Sequence, residues 1–164
     1  MHTASNRTII PYTTTDRINI IQEHLLEAFK EEWKLKIQGT RYSKVKSEWE
    51  VWKHTVYKDK SLNTAALRLR TGHSRLCAHM RKIGFEEDED CPYCHSPETV
   101  EHYLLYCFRH HNARTHLRET VTQNGGVFDT QHILGGGDLP QNKKQSIAKA
   151  LGMYLRATKK ATQL

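Results

Sequence analysis

Thiol and imidazole side chains crowd into one short stretch, Cys91 to Cys107, which reads CPYCHSPETVEHYLLYC. It holds three of the chain's 4 cysteines and two of its 11 histidines. The order is Cys91-x2-Cys94-x7-His102-x4-Cys107. Two cysteines separated by two residues form a tight knuckle that turns both sulfurs toward one ion, and the gap between His102 and Cys107 suits a second pair of zinc ligands. Three thiolates and one imidazole fill a tetrahedron and leave no position for water, the pattern of one structural Zn2+ rather than a catalytic one. His95, His110 or His111 stands near enough in sequence to replace His102, and at this level that choice stays open. Ser96 or Thr99 is placed to cap a short helix carrying His102. Structural zinc contributes on the order of 10–16 kcal/mol in small peptides. The segments before the knuckle carry apolar faces of their own, so loss of the ion is expected to unfold the knuckle locally and leave the other helices standing.

Cys-Pro-Tyr-Cys also matches the active-site motif of glutaredoxins. That chemistry needs a buried strand leading into the first cysteine and a helix starting there to lower the thiol pKa. The preceding residues are Glu86, Glu87, Asp88, Glu89 and Asp90. Five carboxylates do not make a buried strand, and their charge raises a thiol pKa. Hydrolytic chemistry fares no better. Glu98 and Glu101 are candidates for a general base only if one of the four ligands is not bound, and Glu101 is better placed to balance a helix N-terminus. Cys77 reads as a small core residue on the apolar side of a helix.

Just upstream lies LRLRTGHSRLCAHMRK, Leu67 to Lys82. Arg68, Arg70, Arg75, Arg81 and Lys82 are basic, no acid interrupts them, and His73 and His79 add donors. A turn at Gly72 between two helices presents several of these cations at one corner. A helix beginning at Ser74 adds backbone N–H groups, and arginine forks suit phosphate oxygens. Arg68, Arg70, His73, Arg75, Arg81 and Lys82 are therefore the candidate contacts to RNA or DNA. The competing expectation is that the acidic run Glu86 to Asp90 folds back and neutralises them.

The elements that position these groups follow from periodicity. The chain has 164 residues, which fits one domain, large enough to bury roughly 70% of the surface its unfolded form exposes. Its net charge is +7 and its pI about 9.3, which favours an acidic partner. Mean hydropathy is −0.72. No run approaches the ~20 apolar residues of a membrane span. The start, MHTASNRTII, lacks a basic region followed by an apolar one, so a signal peptide is not expected. The expected location is intracellular, nuclear or cytoplasmic, where cysteines serve metals more often than disulfides.

Residues 1–14 read as a polar leader. Thr15 or Asp16 caps a long helix whose Ile18, Ile21, Leu25, Phe29, Trp33 and Ile37 recur at three- and four-residue steps, until Gly39 ends it. A second helix carries Tyr42, Val45, Trp49, Trp52 and Val56 on a narrow apolar stripe. Ser61 caps a third with Leu62, Ala65, Ala66 and Leu69 inward, stopped by Gly72. Ser74 opens a fourth with Leu76, Met80 and Ile83 inward. After the knuckle one helix runs through Leu104 and Leu105 to Leu117 and Val121. A short element holds Ile133 and Leu134 before Gly135, Gly136 and Gly137. Asp138 and Gln141 form a capping box for a last helix with Ile147, Leu151, Tyr154 and Leu155 on one side. No period-two alternation is sustained. The reading is an all-α, small helical domain over 15–160 with an embedded CCHC zinc knuckle at 91–107 and a frayed tail at 161–164.

The segment LRLRTGHSRLCAHMRKIGF, then CPYC, then ETVEHYLLYC resembles the C-terminal zinc-binding region of non-LTR retrotransposon polyproteins. The shared pattern is an R-x-R-T-G-H turn, a short helix ending in glycine, a C-x2-C pair and E-x-x-E-H-x4-C, which Glu98, Glu101, His102 and Cys107 fit. The close match covers about Leu67 to Arg114. The resemblance implies Cys91, Cys94, His102 and Cys107 as zinc ligands and a role in helping the element's reverse transcriptase engage RNA or target DNA, with other proteins of the element as further partners. An aromatic-x-D-D polymerase motif and a set of RNase H carboxylates are not found in this chain. The expectation is a non-catalytic tail of a larger element, encoded as a truncated or stand-alone copy.

Overall fold

The computed structural model describes residues 13–46, 49, 57–160 and 164. Among these the protein is all-α, with an isolated bridge between Asp90 and Pro97 as its one trace of β pairing. The chain divides into two compact units, Met1–Lys36 and Ile37–Leu164.

The first unit contains all but the last residue of helix α1, Thr14–Ile37. Its start is a reciprocal cap: the Asp16 carboxylate accepts from the Thr13 backbone N–H at 2.8 Å, and Thr13 Oγ1 accepts from the Asp16 N–H at 3.1 Å. Helical periodicity is as expected, but no α1 residue is buried, and Ile18, Ile21, Leu25 and Phe29 are exposed. Most of the leader, residues 1–12, lies outside the described residues.

The second unit begins with the short helix α2, Arg41–Val45, capped by Thr40. The expected second helix was longer. Trp49 is not helical, and Trp52 and Val56 lie outside the described residues. Helix α3, Lys60–Thr71, buries Leu62, Ala65, Ala66 and Leu69 as their spacing requires. Its cap is Asp59, whose carboxylate accepts from both the N–H and hydroxyl of Ser61 at 2.9 and 2.7 Å. Gly72 ends α3 in the left-handed region at φ 80°, and a Cβ there would come within 2.8 Å of the Arg41 side chain. Helix α4, Cys77–Lys82, begins three residues later than Ser74.

Beyond the knuckle the predicted continuous helix is broken. A π-helical turn spans His102–Tyr106, a 3-10 turn Phe108–His110, and helix α5 His111–Gln123. Cys107 interrupts them with an extended ψ of 117°. Asp129 caps the one-turn helix α6, Thr130–Ile133. Helix α7, Gln141–Ala157, starts after Pro140 without the Asp138 box.

The core lies where α5 and α6 pack on α7, with α3 behind. Leu117, Val121, Ile133, Leu134, Ile147, Leu151, Tyr154 and Leu155 are almost wholly buried there. Each such side chain contributes roughly 1.5–3 kcal/mol by leaving water. The Tyr57 hydroxyl donates to the Ala148 carbonyl at 2.7 Å and ties the start of α3 to α7. The tail does not end in solvent as expected. Leu164 is 1% exposed, and its carbonyl accepts from Arg68 Nη1 at 2.5 Å. No helix among the described residues is long and apolar enough to cross a membrane.

Candidate metal centre

Cys91, Cys94, His102 and Cys107 converge, with one ligand atom from each within 4.8 Å of the others. The four come from two pieces of chain. The first is the knuckle turn. Cys94 and His95 donate backbone N–H groups to the Cys91 carbonyl at 3.2 and 2.9 Å, and Cys91 N–H donates to the Ser96 carbonyl at 2.8 Å. His95 makes the reversal by adopting a left-handed φ of 50°, which costs a non-glycine residue roughly 1–2 kcal/mol.

The second piece is the π-helical turn. Thr99 Oγ1 accepts from the His102 N–H at 3.1 Å, so Thr99 is the cap. In an α-helix two residues five apart sit ~140° apart around the axis, which would turn Cys107 away from His102. Here the Cys107 N–H donates to the His102 carbonyl at 2.7 Å, the wider i to i+5 bond. The wider turn reduces that angle and places both ligands on one side. Such turns recur at functional sites.

The sulfur separations fit a bound ion. Cys91 to Cys107 is 3.9 Å and Cys94 to Cys107 is 3.6 Å. A tetrahedron with metal–sulfur bonds of ~2.3 Å has edges of ~3.8 Å. All the cysteines are free thiols. His102 is 9% exposed, and its Nε2 is buried without a hydrogen-bond partner. A buried nitrogen without a partner is costly, and a metal among the three sulfurs relieves that cost.

Charge and burial compete at the thiols. Burial chiefly pushes Cys107 up to about 12. At Cys94 burial is opposed by backbone N–H groups of Phe108 and Arg109 and by the neighbouring thiols, and the pKa falls below its ordinary value. A divalent cation overrides both, because a coordinating thiol loses its proton outright. Burial, partly opposed by Glu98, holds the His102 pKa below the usual imidazole value and favours the neutral ring that binds metal.

The other histidines are placed elsewhere. His95 and His111 are exposed. His110 packs edge-on against Tyr103 at 5.3 Å and Tyr154 at 6.2 Å. Cys77, read as a core residue, is partly exposed.

Three supporting roles were not anticipated. Arg114 is 4% exposed. Its guanidinium donates to the carbonyls of Leu104 at 2.9 Å, Cys107 at 2.6 Å and Tyr103 at 3.4 Å. It thereby satisfies the open end of the π-turn. Arg41 donates to both carboxylate oxygens of Glu101 at 2.7 and 3.0 Å. Glu98 is buried, accepts from the Cys77 N–H at 3.1 Å and faces Lys160 at 3.4 Å. Arg114 had a sequence signal. It stands three residues before Leu117 and seven before Val121, on the inward face of α5, where a charged residue must find partners.

The cation cluster divides. His73, Arg75, Arg81 and Lys82 are exposed. Arg70 is not available to phosphate, because it is 6% exposed and its Nε donates to the Leu134 carbonyl at 2.8 Å. Arg68 is engaged at Leu164. The expected helix start at Ser74 is likewise replaced, since α4 begins at Cys77 and the Glu98 carboxylate takes its first N–H. The acidic run does not neutralise Arg81 through a carboxylate. Arg81 Nη1 donates to the backbone carbonyl of Glu87.

No family model, no curated protein and no solved structure matches the chain.

Proposed function

We propose that this protein is a non-catalytic nucleic-acid-binding module stabilised by one structural zinc, of the kind found at the C-terminus of non-LTR retrotransposon polyproteins. The observation that carries the reading is the convergence of three thiols and the partnerless His102 Nε2 within 4.8 Å. Soft sulfur ligands in tetrahedral array favour Zn2+ among the common divalent ions, and four protein ligands leave no open position for a reacting water. Glu98 and Glu101, the candidate bases, are engaged by Lys160 and Arg41. RNA or DNA as partner is supported by the net charge of +7 and by exposed His73, Arg75, Arg81 and Lys82 beside the knuckle.

A gel-shift titration of zinc-loaded protein with labelled RNA and DNA tests this reading. Affinity should fall with salt at a slope near −0.9 per phosphate neutralised on duplex DNA, and Arg75→Gln with Lys82→Gln should flatten that slope. Absence of any shift at low salt with zinc bound would end it.

A second reading, a protein-interaction module, draws on α1. Its Ile18, Ile21, Leu25 and Phe29 are exposed, as a face that receives a partner helix would be. That reading predicts a protein complex that survives nuclease and is lost in Leu25→Asp.

A further inference from the structure

Helices α3 and α4, the turn before α2 and residues 98–101 line a pocket of about 560 Å³. Its size is that of a small-molecule site. Four basic side chains line it, Arg41, His73, His79 and Lys82, of which Arg41 is paired with Glu101. The two imidazoles meet edge to face with centroids 5.3 Å apart. The wall's carboxylates do not answer this charge. Glu101 is held bidentate by Arg41, and Glu98 is held by Lys160 and the Cys77 N–H.

A second observation points to a ligand. Ser74 lines the pocket and is 2% exposed, yet its hydroxyl has no hydrogen-bond partner. Sequestered hydroxyls are normally paired. Burial, then the like charges of His73 and Lys82, hold the His79 pKa below its ordinary value. An anion seated among the three removes that repulsion.

We propose that this pocket binds one phosphorylated nucleotide, its phosphate held by Lys82, His79 and the Ser74 hydroxyl, with the apolar wall and the His73 ring facing the rest of the ligand. Phosphate accepts from all three donors, and histidine rings serve as surfaces for unstacked bases. The proposal rests on the nucleic-acid reading for the source of the nucleotide, as the end of a strand, and it does not need the metal as a participant.

Titration of the zinc-loaded full chain, followed through the imidazole NMR signals, tests it. The probes are inorganic phosphate, adenosine, adenosine 5′-monophosphate, and one short single-stranded oligonucleotide with and without a 5′-phosphate. Adenosine 5′-monophosphate should shift the His73 and His79 signals saturably, and adenosine should not. Lys82→Gln and His79→Gln should each weaken binding by at least ~10-fold, with the helical circular dichroism unchanged. Tighter binding of the phosphorylated oligonucleotide than of the mononucleotide assigns the strand end as the source, and equal binding assigns the free nucleotide. Imidazole signals that stay still at millimolar phosphate and mononucleotide overturn the proposal. If the two variants then still shift labelled nucleic acid in gels, the nucleic-acid reading stands without the pocket; if the parent chain shifts none, both fall.

Discussion

Arg114 Nη2 donates to the carbonyl oxygen of Cys107 at 2.6 Å, joining helix α5 to the last of the four converging residues. The same guanidinium serves Leu104 and Tyr103, so one buried side chain organises the exit of the π-turn. Arg114→Ala removes these donors and leaves Tyr103 only the Tyr154 hydroxyl at 2.6 Å and Cys107 only the His110 N–H at 3.2 Å. The expected loss is about 3 kcal/mol of stability and roughly 10–100-fold in metal affinity, the usual effect of removing an outer support. Urea unfolding and chelator competition measure the two. Arg114→Lys should recover only part, because an ammonium cannot span three carbonyls.

Chelation should act locally. The core of Leu117, Val121, Ile147, Leu151 and Leu155 does not include the ligands, so it persists when the ion leaves. Hydrogen exchange should show lost protection over residues 91–110 and retained protection in α3 and α7. Collapse of the whole helical signal on adding a strong chelator would contradict this.

Metal binding should release protons. Cys107, pushed up to about 12, carries its proton at neutral pH in the metal-free protein, and coordination removes it. Affinity should therefore fall as pH falls. Calorimetry in buffers of different ionisation enthalpy at pH 7 should report more than one proton released. Release of none would mean that the thiols do not bind.

Stability should also fall in mild acid for a separate reason. Burial, followed by the charges of Lys160 and Arg114, pushes His110 down to about 4. The unfolded residue titrates near its ordinary ~6.5. Between these values the unfolded chain holds a proton that the folded one does not, so this contribution is full above ~6.5 and declines as pH drops toward 4. His110→Phe should reduce the slope of stability against pH in that window, measured by denaturant midpoint with metal present in both proteins. An unchanged slope would remove His110 from the account.

Gly136 is a packing requirement. A Cβ there would lie 1.9 Å from the Val45 carbonyl oxygen, which is backbone and cannot step aside. Gly136→Ala should lower the thermal midpoint by at least ~5 °C, since each kcal/mol is worth several degrees in a domain of this size. A midpoint within 1 or ~2 °C of the parent would show that the loop moves freely.

The parts legible in the sequence are those fixed by short spacing. The four converging residues lie within one stretch, so spacing and side-chain chemistry sufficed to single out Cys91, Cys94 and Cys107 as candidate ligands; the choice of His102 over His110 needed the fold. Helices α3 and α7 were legible because Leu62, Ala66 and Leu69, like Ile147, Leu151 and Tyr154, repeat at helical steps and are buried. Periodicity in α1 was equally clear, but an apolar stripe does not say what covers it. The long-range hydrogen bonds were illegible. Arg70 reaches Leu134 across 64 residues and Arg41 reaches Glu101 across 60. Nothing local distinguishes such an arginine from a phosphate contact except its register on a buried face. The break at Cys107 was hidden for a similar reason, because Leu104, Leu105 and Leu117 are compatible with one continuous helix until the π-turn shifts the register.

X-ray absorption at the zinc edge of the purified, zinc-loaded protein tests the central claim most directly. One ion per chain should show three sulfurs at ~2.3 Å and one nitrogen at ~2.0 Å, with no oxygen in the shell. A shell of oxygens and nitrogens, or fewer than three sulfurs, would contradict the closed site formed by Cys91, Cys94, His102 and Cys107.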